Sequence, residues 1–329
     1  MKKFLTLPVA VLCLLTACQK KDANRQPAAD ETPTEEISQR CASQEVLEAK
    51  MKADPELRDR MEAIEAQTQK VLQNKSAYKL LADGTIEIPV VVHVLYRTAD
   101  ENISDAQIQS QIDVLNEDFM NTNADRTKVP SHFQDEQTTV GIRFVLKQPI
   151  IRKYSSKRSW STNDDMKFDA KGGSNVVDPQ NNLNLWVVNK MQAYGSTILG
   201  YAQFPGGSWS TDGVVVGHNF FGRTGKVSSP YHLGRTATHE VGHWLNLRHI
   251  WGDATCGNDL VGDTPQHNAS NGGCPAADHK STCSGTPLEM WMNYMDYTYD
   301  ACMYMFTNGQ RDRMKAVFTS GSFRAALGQ

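Results

Sequence analysis

The sequence lacks a strong charge of either sign and lacks a cluster of basic residues. Its 34 Lys and Arg residues nearly balance 37 Asp and Glu residues, which gives a formal net charge of -3. The basic residues are dispersed, and no basic run is interleaved with aromatic residues as nucleic-acid binding would favour. We therefore expect no nucleic-acid partner.

The apolar run near the N-terminus is too short to cross a membrane. It extends from Phe4 to Leu15 after two lysines, whereas a bilayer core is about 30 Å thick, and this pattern is typical of a secretory signal peptide. The run ends in Leu-Thr-Ala-Cys at Cys18, which resembles a bacterial lipoprotein signal. We expect residues 1–17 to be a lipoprotein signal peptide and Cys18 to be lipidated. An ordinary signal peptide cut nearby is the alternative.

A histidine motif, HEVGHWLNLRH, extends from His239 to His249. His239 and His243 are four residues apart, so on a helix both imidazoles leave the same face and can bind one ion. Glu240 lies beside the first ligand, where its carboxylate can take a proton from water that the ion activates. A catalytic zinc keeps three protein ligands, and His249 is the predicted third. The motif therefore predicts catalytic zinc with Glu240 as the base.

The backbone must turn between the second and third histidines, because a straight helix would carry His249 away from the ion. Long motifs of this kind normally have Gly three residues after the second histidine, and this chain has Asn246. Asn is the non-Gly residue that best tolerates positive φ, so we interpret the motif as a variant. The alternative is a chance H-E-x-x-H match in a helix that binds no metal.

The order of the predicted elements indicates an α+β fold with a mixed sheet. A chain of 329 residues with 40% hydrophobic and 22% charged residues suits one large domain or two small ones. A helix capped by Ser104 follows the first strong strand, and the metal helix begins at about Leu233. The predicted strands cover residues 86–96, 142–147, 183–188, 200–204 and 213–216.

A helical segment precedes the first strong strand, in the place where secreted proteases carry a prosegment. Residues 19–37 contain almost no apolar residues and are predicted to be a tether. Residues 44–73 have apolar side chains at helical spacing, interrupted at Pro55, which predicts two helices. We therefore expect residues 18–80 to be tether and helical prosegment, and residues 81–329 to be the catalytic domain.

The chain has seven cysteines, and each region uses them differently. Cys13 lies in the signal peptide and Cys18 at the lipidation site. Cys41 is alone in the helical segment, where a thiolate could occupy the fourth zinc position and silence the enzyme. A free or adventitiously paired thiol is the alternative, and the residues alone favour it. Four cysteines after the motif allow three disulfide pairings in an exported chain: Cys256, Cys274, Cys283 and Cys302.

These motifs together resemble those of the pappalysin family of metzincins. HEVGHWLNLRH is followed by NYMDY at residues 293–297, by DACM at 300–303 and by FTNGQ at 306–310. The resemblance covers about residues 85–320. It implies a metzincin-like zincin catalytic domain with a mixed twisted sheet, an active-site helix and a Met-turn, preceded by a small helical prosegment. It also implies a zinc metalloendopeptidase made as a zymogen.

The resemblance implies roles for particular residues. Met295 matches the methionine of the turn beneath the zinc, although simple core filling is the alternative. Tyr297 matches the tyrosine that helps to stabilise the oxyanion. Arg40 and Cys41 match the prosegment signature of a cysteine switch, which reverses the preference stated above. The implied disulfides are Cys256–Cys283 and Cys274–Cys302.

The resemblance further implies a calcium site and a specificity pocket. The calcium ligands would come from an oxygen-rich turn, and a solvated acidic turn is the alternative. Asp300 lies near the wall of the specificity pocket, with Ala301 as the alternative position, and the family preference is for Arg or Lys at P1. The implied calcium ligands are Asp259, Asp263, Thr264 and the carbonyl of Val261.

We therefore expect an exported bacterial lipoprotein, anchored in a membrane or at the cell surface or released on maturation. It would act as a monomer on protein or peptide substrates. One alternative is a surface lipoprotein that keeps zinc for structure and binds a partner without catalysis; another is a metalloamidase acting on cell-wall peptide. Structural zinc sites have four protein ligands, typically including Cys, so three histidines and a glutamate favour the enzyme.

Overall fold

A computed structural model of the chain describes Met1 and residues 41–74, 84–193 and 195–328. The predicted lipidation site Cys18, the tether, Arg40 and all of the predicted signal peptide except Met1 lie outside these residues. The described residues from Cys41 onward belong to one compact unit, Glu36–Gln329. Within the described part of the chain, no helix has both the length and the apolar character needed to cross a membrane.

The elements alternate between helices and short strands. The helices are α1 (Ser43–Ala53), α2 (Pro55–Gln73), α3 (Asp105–Phe119), α4 (Arg235–Trp244) and α5 (Asn308–Ala316), and short 3-10 helices occur in the connections. The strands are β1 (Ile86–Tyr96), β2 (Ile142–Leu146), β3 (Ile151–Tyr154), β4 (Leu183–Val188), β5 (Met191–Ala193), β6 (Ser196–Ile198), β7 (Gly200–Ala202) and β8 (Val214–Gly217).

A six-stranded sheet forms the centre of the fold, with β1 inside it. On one side, β1 is parallel to β2 along its first half and to β3 along its second half. On the other side it is parallel to β4, which is parallel to β8. The edge strand β7 is antiparallel to β8. The sheet is therefore mixed, as the predicted α+β fold requires.

The central strands β1, β4 and β8 are buried on both faces along most of their length, which explains why they are largely apolar on both sides, whereas β2 and β3 keep exposed or partly exposed positions. One face, which includes Val92 and Leu185, packs against α3 and α4 in the largest core cluster. The opposite face, which includes Trp186 and Tyr201, packs against the region that contains the β5–β6 hairpin. The metal helix α4 therefore lies on one face of the sheet, against the end that carries β8 and β7.

The sequence predicts most of these elements, and the local signals explain why. The Ser104 hydroxyl accepts a hydrogen bond from the Gln107 N–H at 3.2 Å and caps α3. Two helices separated at Asp54 and Pro55 precede β1, as predicted. The helix α5 was not predicted, although Thr307 and Gln310 form a capping box at its start. Strand β3 and the β5–β6 hairpin were also not predicted.

The stretch after the histidine motif is held by covalent bonds. Between α4 and Asp300, a fully described stretch, the chain forms neither a helix nor a strand. Disulfides join Cys256 to Cys283 and Cys274 to Cys302, which are the pairs that the resemblance implied. Each closes a loop of 27 or 28 residues. A loop of this length corresponds to about 3 to 4 kcal/mol of stabilisation in the chain-entropy model.

Candidate metal centre

The three predicted ligands converge on one point. The Nε2 atoms of His239 and His243 are 3.1 Å apart, and those of His243 and His249 are also 3.1 Å apart. All three side chains are buried. In a tetrahedral zinc site with bonds of about 2.0 to 2.1 Å, ligand atoms lie roughly 3.3 Å from one another. The donor set and its spacing therefore fit a single zinc ion.

A left-handed turn after α4 makes this convergence possible. Asn246 has a φ of 74°, as expected for the residue at the position normally taken by Gly. The Asn246 N–H donates to the His243 carbonyl at 2.9 Å, and the Leu247 N–H donates to the Gly242 carbonyl at 2.9 Å. These bonds end the helix, and the chain that follows brings His249 back beside the first two ligands.

The second ring nitrogen of each ligand is held by a hydrogen-bond partner. The Nδ1 partners, in chain order of the ligands, are the carbonyls of Tyr294 (2.7 Å) and Leu247 (2.8 Å) and the carboxylate of Asp253. An Nδ1 that donates leaves Nε2 free of a proton and able to bind metal. Burial also lowers the pKa of His243 well below its ordinary value, which favours the neutral ring.

Met295 packs against the metal helix. It is fully buried, and a Cβ at Gly242 would lie 2.5 Å from its Sδ, so a larger residue at this position would displace the Met295 side chain. The Met295 carbonyl accepts a hydrogen bond from the N–H of Ile250, the residue after the third ligand, at 3.2 Å. Met295 therefore contacts the chain on both sides of the turn.

The hydroxyl of Tyr297 lies at the point on which the three histidines converge. It is 3.2 Å from Nε2 of His249 and donates a hydrogen bond to the Cys41 carbonyl at 3.1 Å. Burial raises the pKa of Tyr297 well above its ordinary value, and the neighbouring Cys41 and Glu240 raise it further. The phenol therefore stays protonated and can donate to a carbonyl oxygen placed beside the metal.

Cys41 brings a fourth ligand atom to the same point. Its Sγ and one nitrogen of each of the three histidines all lie within 4.8 Å of one another. Its Sγ is also 3.3 Å from Oε2 of Glu240. Burial and the neighbouring Glu240 raise the pKa of the thiol well above its ordinary value. A thiolate here therefore needs a cation to stabilise it.

Ser43 forms a hydrogen bond with Glu240, the predicted base, although the sequence did not indicate Ser43 as a site residue. Its hydroxyl donates to Oε2 of Glu240 at 2.7 Å and accepts the N–H of Ala202, on β7, at 2.8 Å. The Ala42 N–H donates to the Gly200 carbonyl at 3.2 Å, so the segment lies along β7. Ser43 and Glu240 are 197 residues apart, and no local pattern signals this contact.

The predicted calcium ligands separate into two groups. Thr264 Oγ1 lies 2.9 and 3.0 Å from the two carboxylate oxygens of Asp259 and 3.0 Å from the Val261 carbonyl. The carboxylate of Asp263 instead accepts the Gly309 N–H and the Thr307 hydroxyl, both at 2.7 Å, at the start of α5. The structure therefore brings three of the four predicted residues together.

Asp300 contacts the beginning of the metal helix. It is fully buried, and its Oδ2 accepts the N–H groups of Leu233 at 2.9 Å and Arg235 at 3.2 Å. A carboxylate at a helix N-terminus satisfies unpaired amides and interacts favourably with the helix dipole. In this structure the predicted specificity residue thus holds the start of α4.

Comparison with known proteins agrees with this geometry. Residues 169–319 match the family model of pregnancy-associated plasma protein-A, Peptidase_M43. An extracellular metalloprotease of Pyricularia oryzae is 32% identical over 249 residues, which cover 74% of this chain and 77% of the relative. The chain belongs to the pappalysin family of metzincins. It is a zinc metalloprotease.

Solved structures are also similar to this pappalysin. A mutant of Tannerella forsythia promirolysin is 41% identical, with a TM-score of 0.79, and the match covers 88% of this chain and 97% of that one. Mature mirolysin of the same organism in complex with a cleaved peptide is 45% identical, with a TM-score of 0.71, and covers 75% of this chain and 96% of that one. The longer match is therefore to the proenzyme.

The residues of the centre divide the chemistry between them. When bound to the three histidines, zinc lowers the pKa of a water molecule and polarises a carbonyl oxygen. The Glu240 carboxylate lies on α4 beside the first ligand, where it can accept a proton and return it to the leaving amine. The Tyr297 hydroxyl can donate to the oxygen on which negative charge develops.

Replacing Glu240 by Ala should separate metal binding from catalysis. We expect Glu240→Ala to retain zinc, because its three imidazoles and their Nδ1 partners are unchanged. Cleavage should fall by at least about 100-fold, because general base catalysis is lost. The measurement is casein digestion and zinc content after removal of the N-terminal segment, with chelated wild type as the control. Cleavage at the wild-type rate would contradict this role.

Proposed function

We propose that this pappalysin is the zymogen of a lipid-anchored zinc metalloendopeptidase, which cleaves bonds inside protein or peptide chains. The convergence of the Cys41 thiol with three buried imidazoles carries the proposal, because the thiol takes the position that water needs. The promirolysin likeness, which covers more of the chain than the mature mirolysin likeness, supports it. Family membership disfavours the alternative of a structural zinc without catalysis.

The prosegment blocks the centre in two ways. Cys41 fills the fourth position, and its carbonyl takes the hydrogen bond of Tyr297. The Ser43 hydroxyl donates a hydrogen bond to the Glu240 carboxylate and accepts one from the Ala202 N–H at the sheet edge. An exposed strand edge is where an extended peptide binds by adding a strand, so the prosegment takes the place of a substrate as well as that of water.

Variants of the two blocking residues should relieve latency to different extents. We expect the full chain with Cys41→Ala to gain at least about tenfold in peptide cleavage, because the fourth position opens. Ser43→Ala should give a smaller gain, because the thiol still closes the metal. Cleavage of a fluorogenic peptide before any processing is the measurement.

The control for these variants is Gln44→Ala, because the Gln44 amide bonds to Glu48 and not to the centre. Latency that is unchanged in Cys41→Ala would refute the switch.

The lipid anchor is proposed from the sequence around Cys18, which lies outside the described residues. Two or more acyl chains would anchor the exported chain stably. We expect the wild type expressed in bacteria to partition into the detergent phase of a phase-separation assay and Cys18→Ala to partition into the aqueous phase. Equal partitioning of both would contradict lipidation and favour an ordinary signal peptide.

A calcium ion bound by Asp259, Val261 and Thr264 is a further part of the proposal. A carboxylate, a carbonyl and a hydroxyl in one turn are ligands that calcium prefers. Burial raises the pKa of Asp259 to about 6, so without a cation the carboxylate charge is poorly compensated. Because its folded-state pKa is raised, stability from this group is lost as pH rises through about 6, and calcium should restore it.

The calcium proposal predicts a ligand-dependent melting temperature. Millimolar calcium should raise the melting temperature of the wild type at pH 7.5, since a ligand that binds only the folded state stabilises it. Asp259→Asn should lose this increment, and Asp278→Asn, an exposed acid in the same disulfide-bonded stretch, should keep it. An equal increment in all three would show that calcium binds elsewhere.

The preference for Arg or Lys at P1 rests on the family resemblance alone. The Asp300 carboxylate bonds to the backbone at the start of α4, which does not by itself select a basic side chain. A digest of a peptide library with the activated enzyme, with fragments identified by mass spectrometry, reports the residue on each side of the cut.

A further inference from the structure

Two buried arginines donate hydrogen bonds to backbone carbonyls at the C-terminal end of the metal helix. Arg324 Nε donates to the Trp244 carbonyl at 3.0 Å, and Arg313 Nε donates to the Asn246 carbonyl at 2.8 Å. Both side chains are almost completely buried. Carbonyls at a helix end lack partners within the helix, and cations there are favoured by the helix dipole. The two arginines therefore supply donors where α4 ends.

Arg313 bonds to the turn that brings the third histidine beside the first two. Its partner, the Asn246 carbonyl, belongs to the left-handed residue between the second and third histidines. The next carbonyl along the chain, that of Leu247, accepts the Nδ1 bond of His243. One peptide unit thus separates the arginine's hydrogen bond from the bond that orients a ligand.

The two arginines differ in their counter-ions. The carboxylate of Asp212, in the catalytic domain, pairs with both Nη atoms of Arg324, at 2.8 and 2.9 Å. Arg313 instead pairs with Glu65 on α2, at 3.0 and 2.5 Å. The Arg313 side chain is only 1% exposed, and a buried charge without a partner is costly. Its ion-pair partner therefore lies on the N-terminal helices, while the buried Asp259 carboxylate also acts on it electrostatically.

The helix α2 also contacts the turn itself. Thr68, three residues after Glu65 and hence on the same helix face, has its hydroxyl 3.4 Å from the Asn246 side-chain amide. Glu65 and Thr68 thus contact the arginine and the residue that the arginine holds. Through Glu65 and Thr68, the N-terminal helices therefore contact the metal turn independently of the contact that Cys41 makes with the histidines.

We propose that Arg313 is a positioning residue for the zinc site, which holds the Asn246 turn so that His243 and His249 meet one ion. Glu65 is its counter-ion in the full chain and ties α2 to the metal turn. The first statement concerns the metalloprotease centre itself; the second rests on the proposed zymogen.

The first statement is tested by zinc affinity. We expect Arg313→Ala to weaken zinc binding about 10-fold, the lower end of the effect of losing a group bonded directly to a metal ligand, because Arg313 acts one peptide unit away from such a bond. Arg313→Lys should recover part of the loss, because one donor remains while the forked geometry is lost. The affinity is measured on the full chain by competition with a chromophoric chelator.

Arg311→Ala is the matched control, because it removes the same charge from the same helix. The Arg311 guanidinium contacts Thr138, Asn308 and Asp312 and does not reach the turn. Zinc affinity within about threefold of wild type in Arg313→Ala would overturn the proposal. Should Arg313→Ala not fold, Arg313→Lys carries the same test, with an affinity equal to that of Arg311→Ala as the contradicting result. A wild type that binds no zinc would instead remove the enzyme function.

The second statement is tested by access to Cys41. Glu65→Gln should speed labelling of the Cys41 thiol by an alkylating reagent at least tenfold, measured by mass spectrometry of the Cys41 peptide. Glu62→Gln, exposed on the same helix, is the control. Equal labelling rates would overturn the role of Glu65. If Cys41→Ala leaves latency unchanged while Glu65→Gln still speeds labelling, the switch fails and the docking contact stands.

Discussion

The centre depends on a reversal of the backbone within three residues of the second histidine. A left-handed conformation costs an ordinary L-residue about 1 to 2 kcal/mol, and Asn tolerates it better than most. Asn246 adopts it here with a φ of 74°. The hydrogen bond between Leu247 and Gly242 and the guanidinium of Arg313 hold the turn in place. Without this reversal, two histidines would share a helix face and the third would be remote.

The surroundings of the turn explain why the rest of the fold is needed. Met295 packs against Gly242 on one side of the helix, and its backbone holds Ile250 after the third ligand. Met295 follows a long irregular stretch that the two disulfides restrain. Asp300 holds the start of α4, and Arg324 holds its end. The helix is thus fixed at both termini by residues from the C-terminal part of the chain.

The N-terminal helices use the same groups that a substrate would need. Ser43 takes the Glu240 carboxylate and an N–H of the edge strand β7, and the Cys41 carbonyl takes the Tyr297 hydroxyl. In the proposed zymogen, occupying groups that the reaction requires would make latency independent of any distortion of the centre. The chain could then hold its histidines in the geometry that fits zinc before it is activated.

The sequence predicts what is local and misses what is distant. His239, Glu240 and His243 were identified because one helical turn relates them, and β1 was predicted because its apolar residues fill both faces. The contacts of Ser43 with Glu240 and of Arg313 with Asn246 join positions 197 and 67 residues apart. No period or cap encodes such pairs. Asp263 looked like an ion ligand in the sequence, yet in the structure its carboxylate binds the start of α5.

X-ray absorption at the zinc edge tests the central claim most directly, because it identifies the atoms bound to the metal. For the full chain we predict three nitrogen ligands at about 2.0 Å and one sulfur ligand at about 2.3 Å. After removal of the prosegment, the sulfur should be replaced by a light atom while the three nitrogens remain. A full chain without zinc, or a mature enzyme whose zinc keeps a sulfur ligand, would contradict this account.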